Sequence, residues 1–295
     1  MYVNLRIMKQ RKIKTVQSPA AQPGFLGAGH TARAVIQVNY KDSDPFILLM
    51  DDVLDKKDGT PAGGPHPHAG FETVSLLIEG LIGEGEHQMK AGDMQIMTAG
   101  SGVIHTETIN TELKMRLLQL WLNLPKKNRD AAPRLQHLPA MHVPVASGSG
   151  FQARVYSGTF AGVTSPIQNQ VPVIIADITL QPGVIIAEKI PSAYSTFLYI
   201  IKGEAVAGEN KELLKQEQVG WFERDIEGDS EVSFTAGADG ARLILYSGQP
   251  QGDPIVSHGP FIADTEDDIR RLYREFREGK MKHISTVPAD QQVIW

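Results

Sequence analysis

The chain has 295 residues, 41% of them hydrophobic and 21% charged, a balance that supports a packed core and excludes general disorder. A net charge of -5 argues against direct nucleic-acid binding, which calls for a basic face to displace counterions. There is no cysteine, which rules out disulfides, thiolate metal sites, iron–sulfur clusters and cysteine nucleophiles, so any metal must be held by His, Asp and Glu.

Taken in chain order, the first seventeen residues scatter Arg6, Lys9, Arg11, Lys12 and Lys14 among apolar neighbours. No apolar run of signal-peptide length follows them. No later stretch approaches the roughly 18 apolar residues of a membrane span. The expected compartment is the cytoplasm, with no membrane partner. Short apolar runs then recur at 46–50, 74–78, 94–97, 115–122, 173–180, 196–201 and 242–246, bounded by Gly, Pro, Asp or Asn. Runs of that length predict strands, and 28 glycines with 18 prolines supply the turns of an all-β sandwich or barrel.

Two of these strands resemble each other. Phe71-Glu72-Thr73-Val74-Ser75-Leu76-Leu77-Ile78-Glu79-Gly80 is similar to Tyr194-Ser195-Thr196-Phe197-Leu198-Tyr199-Ile200-Ile201-Lys202-Gly203, an offset of 203 − 80 = 123 residues. A repeat that long implies two related domains. The expected division is an N-terminal domain over 1–124, a connection over 125–149 rich in Pro, Lys, Asn and Ser, and a C-terminal domain over 150–295. One helix is predicted, over about 265–279. Thr265 is its N-cap, Glu266, Asp267 and Asp268 fill the first turn, and Gly279 ends it. Ile269, Leu272, Tyr273 and Phe276 form its apolar stripe, read as the face that docks on a barrel.

Three of the nine histidines fall into two tight clusters. Residues i and i+2 of an extended chain share a face, so His66 and His68 in Gly64-Pro65-His66-Pro67-His68 converge, as do His105 and Glu107 in Val103-Ile104-His105-Thr106-Glu107. Either pair alone also fits a solvated loop. Together, beside glycine turns and apolar strands, they read as one metal site of three imidazoles and a carboxylate. Fe(II), Mn(II), Ni(II), Cu(II) and Zn(II) all suit that donor set. His87 sits among acidic residues and reads as a loop tip. His30, His137, His142, His258 and His283 show no partner pattern. Met89, Met94, Met97 and Met115 read as core filler.

The stretch Gly64-Pro65-His66-Pro67-His68-Ala69-Gly70-Phe71-Glu72-Thr73-Val74 resembles the His-Pro-His-Arg-Gly-Phe-Glu-Thr motif of the pirin family. Similar resemblance is carried by Asp44-Pro45-Phe46-Ile47, by the segment from Ala91 to Gly100 continuing to Glu107, and by Gly259-Pro260-Phe261 before the last helix. The resemblance implies a bicupin: two stacked double-stranded β-helix barrels with a C-terminal helix, and metal in the N-terminal barrel alone. It implies His66, His68, His105 and Glu107 as ligands of one mononuclear divalent metal, with Fe(II) the first expectation and Mn, Ni, Cu or Zn the others. No histidine lies between Val143 and Ser257, and the offset of 123 sets Lys189 and Pro191 opposite His66 and His68. Some pirins resemble quercetin 2,3-dioxygenase, which implies a metal-dependent dioxygenase with Glu107 as base and a flavonol-like aromatic substrate. The alternative is a metal- or redox-dependent regulator that binds a transcription factor or metabolic enzyme as its protein partner. Ala69 stands where the family usually has Arg, Ile96 where it usually has Trp, and the loop over 80–92 is short.

Overall fold

The computed structural model describes residues 8–83, 88–225 and 228–295, and His87 therefore lies outside the described residues. The chain forms two compact units whose ends are exchanged. One holds Ala20–Val143, Pro166–Val171 and Gln251–Trp295; the other holds Pro144–Ser165, Pro172–Pro250 and the described residues up to Pro19. The linear division at residues 124 and 150 does not describe this arrangement, because strands from each end of the chain join the sheet of the opposite half. Ile13–Gln17 pairs with Val219–Phe222, and the buried Arg11 beside it donates to Ser230 Oγ at 2.6 Å and to the Tyr194 carbonyl at 2.9 Å. At the other end Lys282–His283 runs parallel to Val103–Thr106, and Gln292–Ile294 runs parallel to Arg134–Leu138. The expected connection over 125–149 is itself structured. Arg134–Leu138 pairs with Met94–Thr98, and Val145–Gly148 pairs with Phe151–Ser157.

The unit containing the histidine clusters has an eight-stranded sheet. Its central strands run in the order Met94–Thr98, Phe71–Glu79, Leu113–Asn123, Phe46–Lys56 and His30–Ala34. A separate three-stranded sheet places Val103–Thr106 between Lys282–His283 and Pro65–His68. The apolar runs predicted in this half all lie inside these strands, which extend beyond them: the run at 46–50 continues to Lys56. Met89, Met94, Met97 and Met115 are all buried, as core residues should be.

The second unit is a ten-stranded sheet centred on the 20-residue strand Asp229–Gly248, which pairs with both Val173–Leu180 and Ser195–Ala207. The two similar segments occupy matching places. Phe71–Glu79 and Ser195–Ala207 each lie between a shorter strand and a long one. Their shared glycine has a steric cause. Gly80 and Gly203 have φ of +89° and +75°, and a Cβ there would meet a carbonyl oxygen of the neighbouring strand at 2.2 Å and 2.3 Å, from Lys114 and Gly240. The ladder shifts register beside each of them.

The helix runs over Glu266–Arg277, capped by Thr265, whose Oγ1 accepts from the Asp268 amide at 3.1 Å. Its buried Ile269 and Leu272 pack with Ala69, Phe261, Ala263 and Met281, with Tyr273 and Phe276 at the margin. The stripe read from spacing is the docking face, and it lies in the first unit, directly behind the histidine strand. No helix of the described residues is long and apolar enough to cross a membrane.

Candidate metal centre

Pro65–His68 and Val103–Thr106 are antiparallel, and their register sets His66 directly opposite His105 and His68 opposite Val103. His66 and His68, two apart on one strand, therefore meet His105 of the other at one point, and Glu107 is not among the converging ligand atoms. One nitrogen from each of His66, His68 and His105 lies within 4.8 Å of the others, and His66 Nε2 is 2.7 Å from His105 Nε2. The rings are held from outside this point. His66 Nδ1 donates to the Gly64 carbonyl at 2.8 Å, which leaves its Nε2 lone pair turned to the cluster. His68 packs edge-on against Phe71 and Trp121, which stack on each other with centroids 4.2 Å apart.

The electrostatics favour uncharged donors. Burial, then His66, brings His68 down to about 3. Burial, with His68, His66 and His283 adding to it, brings His105 down to about 2. Crowded neutral imidazoles present lone pairs toward one another, an arrangement that a cation relieves. By the chemistry of its donors, three neutral imidazoles converging on one point, the cluster fits a divalent transition metal.

Glu107 follows directly on the strand. Its Oε1 lies 3.9 Å from His105 Nδ1 and accepts from Gln119 Nε2 at 3.3 Å. Its side chain keeps 30% exposure, and that surface opens into two cavities of about 840 and 390 Å³ that it lines on either side. Burial among their walls pushes the Glu107 carboxyl up, opposed by His66. His66 and His68 line the larger cavity and His105 the smaller.

Sequence reasoning missed Gln119. Its signal was the alternation along Leu113–Asn123, where Met115, Leu117, Gln119 and Trp121 all line the larger cavity, so one polar residue on an inward face marks the site. Of the histidines left without a role, His30 bonds Asp52 at 2.9 Å, His283 bonds Thr106 at 3.0 Å, His258 bonds Tyr273 at 3.1 Å, and buried His137 lies 3.4 Å from Asp93. Ala69 is wholly buried, in the cluster that holds Phe261 and Leu272. Ile96 is likewise fully buried, in the sheet beside Val74.

The family profile described as "Pirin" matches residues 29–122, and that of the "Pirin C-terminal cupin domain" matches residues 175–282. Human pirin is 33% identical over 259 residues, covering 84% of this chain and 86% of its own. Pirin-like protein 2 of Arabidopsis thaliana is also 33% identical, covering 84% and 78%. Among solved structures, a quercetin 2,3-dioxygenase from Acinetobacter baumannii superposes with a TM-score of 0.81 at 26% identity, covering 93% of this chain and 99% of that one. The bacterial pirin YhhW of Escherichia coli, solved in complex with nickel(II), shares the fold at a TM-score of 0.61 and 16% identity, over 83% and 99%. Two cupin domains, and relatives of this similarity along most of its length, make this chain a member of the pirin family.

Proposed function

We propose that the protein is a mononuclear metal-dependent oxygenase of the quercetin 2,3-dioxygenase type, with His66, His68, His105 and Glu107 as ligands and Glu107 as the catalytic base. Fe(II) is the first assignment, and Mn(II), Ni(II), Cu(II) and Zn(II) offer alternative occupants of the same donor set. The observation that carries this reading is the convergence of three imidazoles, two of which line, with Glu107, a cavity of about 840 Å³, within the usual size range for a drug-sized ligand. The similarity to the Acinetobacter baumannii dioxygenase along nearly the whole of both chains supports the substrate class, a flavonol-like aromatic.

When bound, the metal supplies Lewis acidity that favours the deprotonated form of a substrate hydroxyl. The chain's own residues do the rest. Glu107 takes the hydroxyl proton, and its raised pKa brings it closer to the proton it must accept. Gln119 Nε2 donates to Glu107 Oε1 and holds that carboxylate in place. Trp121, Leu117 and Met50 present apolar surface to the cavity and keep water from the reacting face.

The test is loss of quercetin's visible absorption by protein loaded with Fe(II), Cu(II), Mn(II) or Ni(II), with and without oxygen. Oxygen-dependent bleaching is expected. Glu107→Gln is expected to retain some metal and lose turnover by about 10² to 10⁴, the usual contribution of general acid–base catalysis. No bleaching with any of the four metals, in protein shown to be loaded, overturns the quercetinase reading. A protein partner whose affinity follows the metal's oxidation state would then establish a regulator instead.

A further inference from the structure

The larger cavity contains a second polar station, away from the three histidines. Along Phe46–Lys56 the inward residues are Leu48, Met50, Asp52 and Leu54, of which the first three line the cavity. Three of these are apolar and one is a carboxylate, an expensive residue to place on a buried face unless it is partnered or used. Its partner is His30. The Leu26 amide donates to His30 Nδ1 at 3.1 Å, so the ring proton is on Nε2, which donates to Asp52 Oδ1 at 2.9 Å. The ring is built into its turn. Phe25 meets it edge-on at 5.6 Å, and Gly24 passes so close that a Cβ would lie 2.0 Å from Nδ1.

This clamp on the imidazole fixes one carboxylate oxygen and leaves the other available. Among the described residues His30 is the hydrogen-bond partner of Asp52, through Oδ1. The Asp52 side chain keeps 12% exposure, while that of His30 keeps none. The strand register fixes where this station stands. Met50 pairs with Gln119, the residue that holds Glu107, and Asp52 pairs with Leu117. Asp52 is thus one inward step beyond the Glu107 row, roughly 6–7 Å along the strand, a span on the scale of one aromatic ring.

We propose that Asp52, oriented by His30, is a substrate-recognition group that accepts a hydrogen bond from a second hydroxyl of an aromatic substrate whose first hydroxyl meets the metal centre. The inference rests on the oxygenase reading for its substrate class. It assigns Asp52 a specificity role and His30 a positioning role. The cavity would then select polyhydroxylated aromatics over analogues with a single hydroxyl, since a buried acceptor left unmatched penalises the wrong ligand.

The test is equilibrium binding to metal-loaded protein without oxygen, read by tryptophan fluorescence, since Trp121 lines the cavity. The probes are quercetin and 3-hydroxyflavone, which keeps only the metal-facing hydroxyl. Asp52→Ala is expected to weaken quercetin by about 10- to 100-fold, the worth of a hydrogen bond to a charged group. It should leave 3-hydroxyflavone within about 2-fold and the metal content unchanged. His30→Gln, whose amide still donates to Asp52, should lose less quercetin affinity than His30→Ala. The double variant His30→Leu with Asp52→Leu removes both polar partners together and serves where a single change unfolds the protein. Equal weakening of both flavonols, or loss of metal with Asp52, overturns the proposal, as does failure of the wild type to bind either. Selective binding without oxygen-dependent turnover sinks the oxygenase reading and keeps this one. Turnover without selectivity does the reverse.

Discussion

The two units share a framework and differ in what fills it. Each has a strand with a left-handed glycine beside which the ladder shifts register, and each has a carboxylate clamped by an arginine 65 residues later. Arg116 grips Asp51 through two bonds of 2.9 and 2.8 Å, and Arg242 grips Asp177 through two of 3.0 and 2.8 Å. In the second unit a continuous apolar cluster, including Ile178, Leu198, Ile200, Leu243 and Leu245, packs the interior. In the first unit a smaller cluster around Leu54, Leu77 and Met115 stops short, and the space beyond it is cavity, imidazole and carboxylate. Where the offset sets Lys189 opposite His66, the lysine pairs with Asp229 at 2.6 Å and is largely exposed. Among the described residues no second group of metal-ligating side chains converges. A shared scaffold thus serves one half as packing and the other as a container.

The largest effect that tests this contrast is on metal. Elemental analysis is expected to return about one transition-metal ion per chain. His66→Ala should weaken binding by at least about 100-fold, since loss of even an outer-shell partner costs 10- to 100-fold, while Lys189→Ala and His283→Ala leave it intact. Two ions per chain, or equal loss in all three variants, would erase the asymmetry.

The repeated ion pair offers a finer comparison. Asp177 is buried, and Arg242→Met strands it in the second unit at a cost of about 3 kcal/mol. Arg116→Met should cost less, because Arg33 NH1 remains 3.5 Å from Asp51. Urea melts of the two variants give the answer, and a larger loss for Arg116→Met would show that the pairs are not equivalent.

Smaller still is the effect of removing the ion. A metal present at 100 times its dissociation constant stabilises the native state by about 2.7 kcal/mol. A chelator should remove that stabilisation, lowering the melting temperature, and leave the far-ultraviolet spectrum of both units in place. Metal-free protein should also respond to acid. His68 and His105 are held down to about 3 and about 2 when folded, so the unfolded chain binds more protons below pH 6.5 and stability falls as pH drops from there toward 3. Glu72 acts with the opposite sign. Full burial raises it to about 7, against hydrogen bonds from Thr98 and Gln170, so its contribution is lost as pH rises from 4.5 through 7. The two slopes oppose each other between pH 4.5 and 6.5, and below 4.5 the histidine slope is joined by carboxylates held low, among them Asp58, which its hydrogen bonds with Lys56 and Thr60 keep at about 2. His105→Leu should flatten the histidine slope; an unchanged slope would show that these imidazoles are not buried as described.

What could be read from the sequence was what is local. His66, His68 and His105 were legible because strand alternation brings i and i+2 to one face, and the helix because its cap, charge and stripe lie within fifteen residues. His30 and Asp52 were not, since they are 22 residues apart and meet only through the pairing of His30–Ala34 with Phe46–Lys56. The clamp of Arg116 on Asp51 was hidden for the same reason. The division into domains failed at the ends because pairing between strands more than 150 residues apart leaves no mark in either strand's own composition. Gln119 fell between these cases: its alternation was local, but its partner was not.

The exchanged chain ends also govern the order in which the molecule can be made. During synthesis the strand Val103–Thr106, which carries His105, emerges long before its parallel neighbour Lys282–His283, and Arg134–Leu138 waits for Gln292–Ile294. Ile13–Gln17 has no strand to pair with until Val219–Phe222 appears. Chains tend to fold from the N-terminal side as they emerge, yet here the histidine sheet gains its third strand only with Lys282–His283. A ribosome-bound chain truncated before Lys282 would carry His66, His68 and His105 on an unfinished sheet, so the setting of the three imidazoles waits on a strand made 177 residues after His105 (282 − 105).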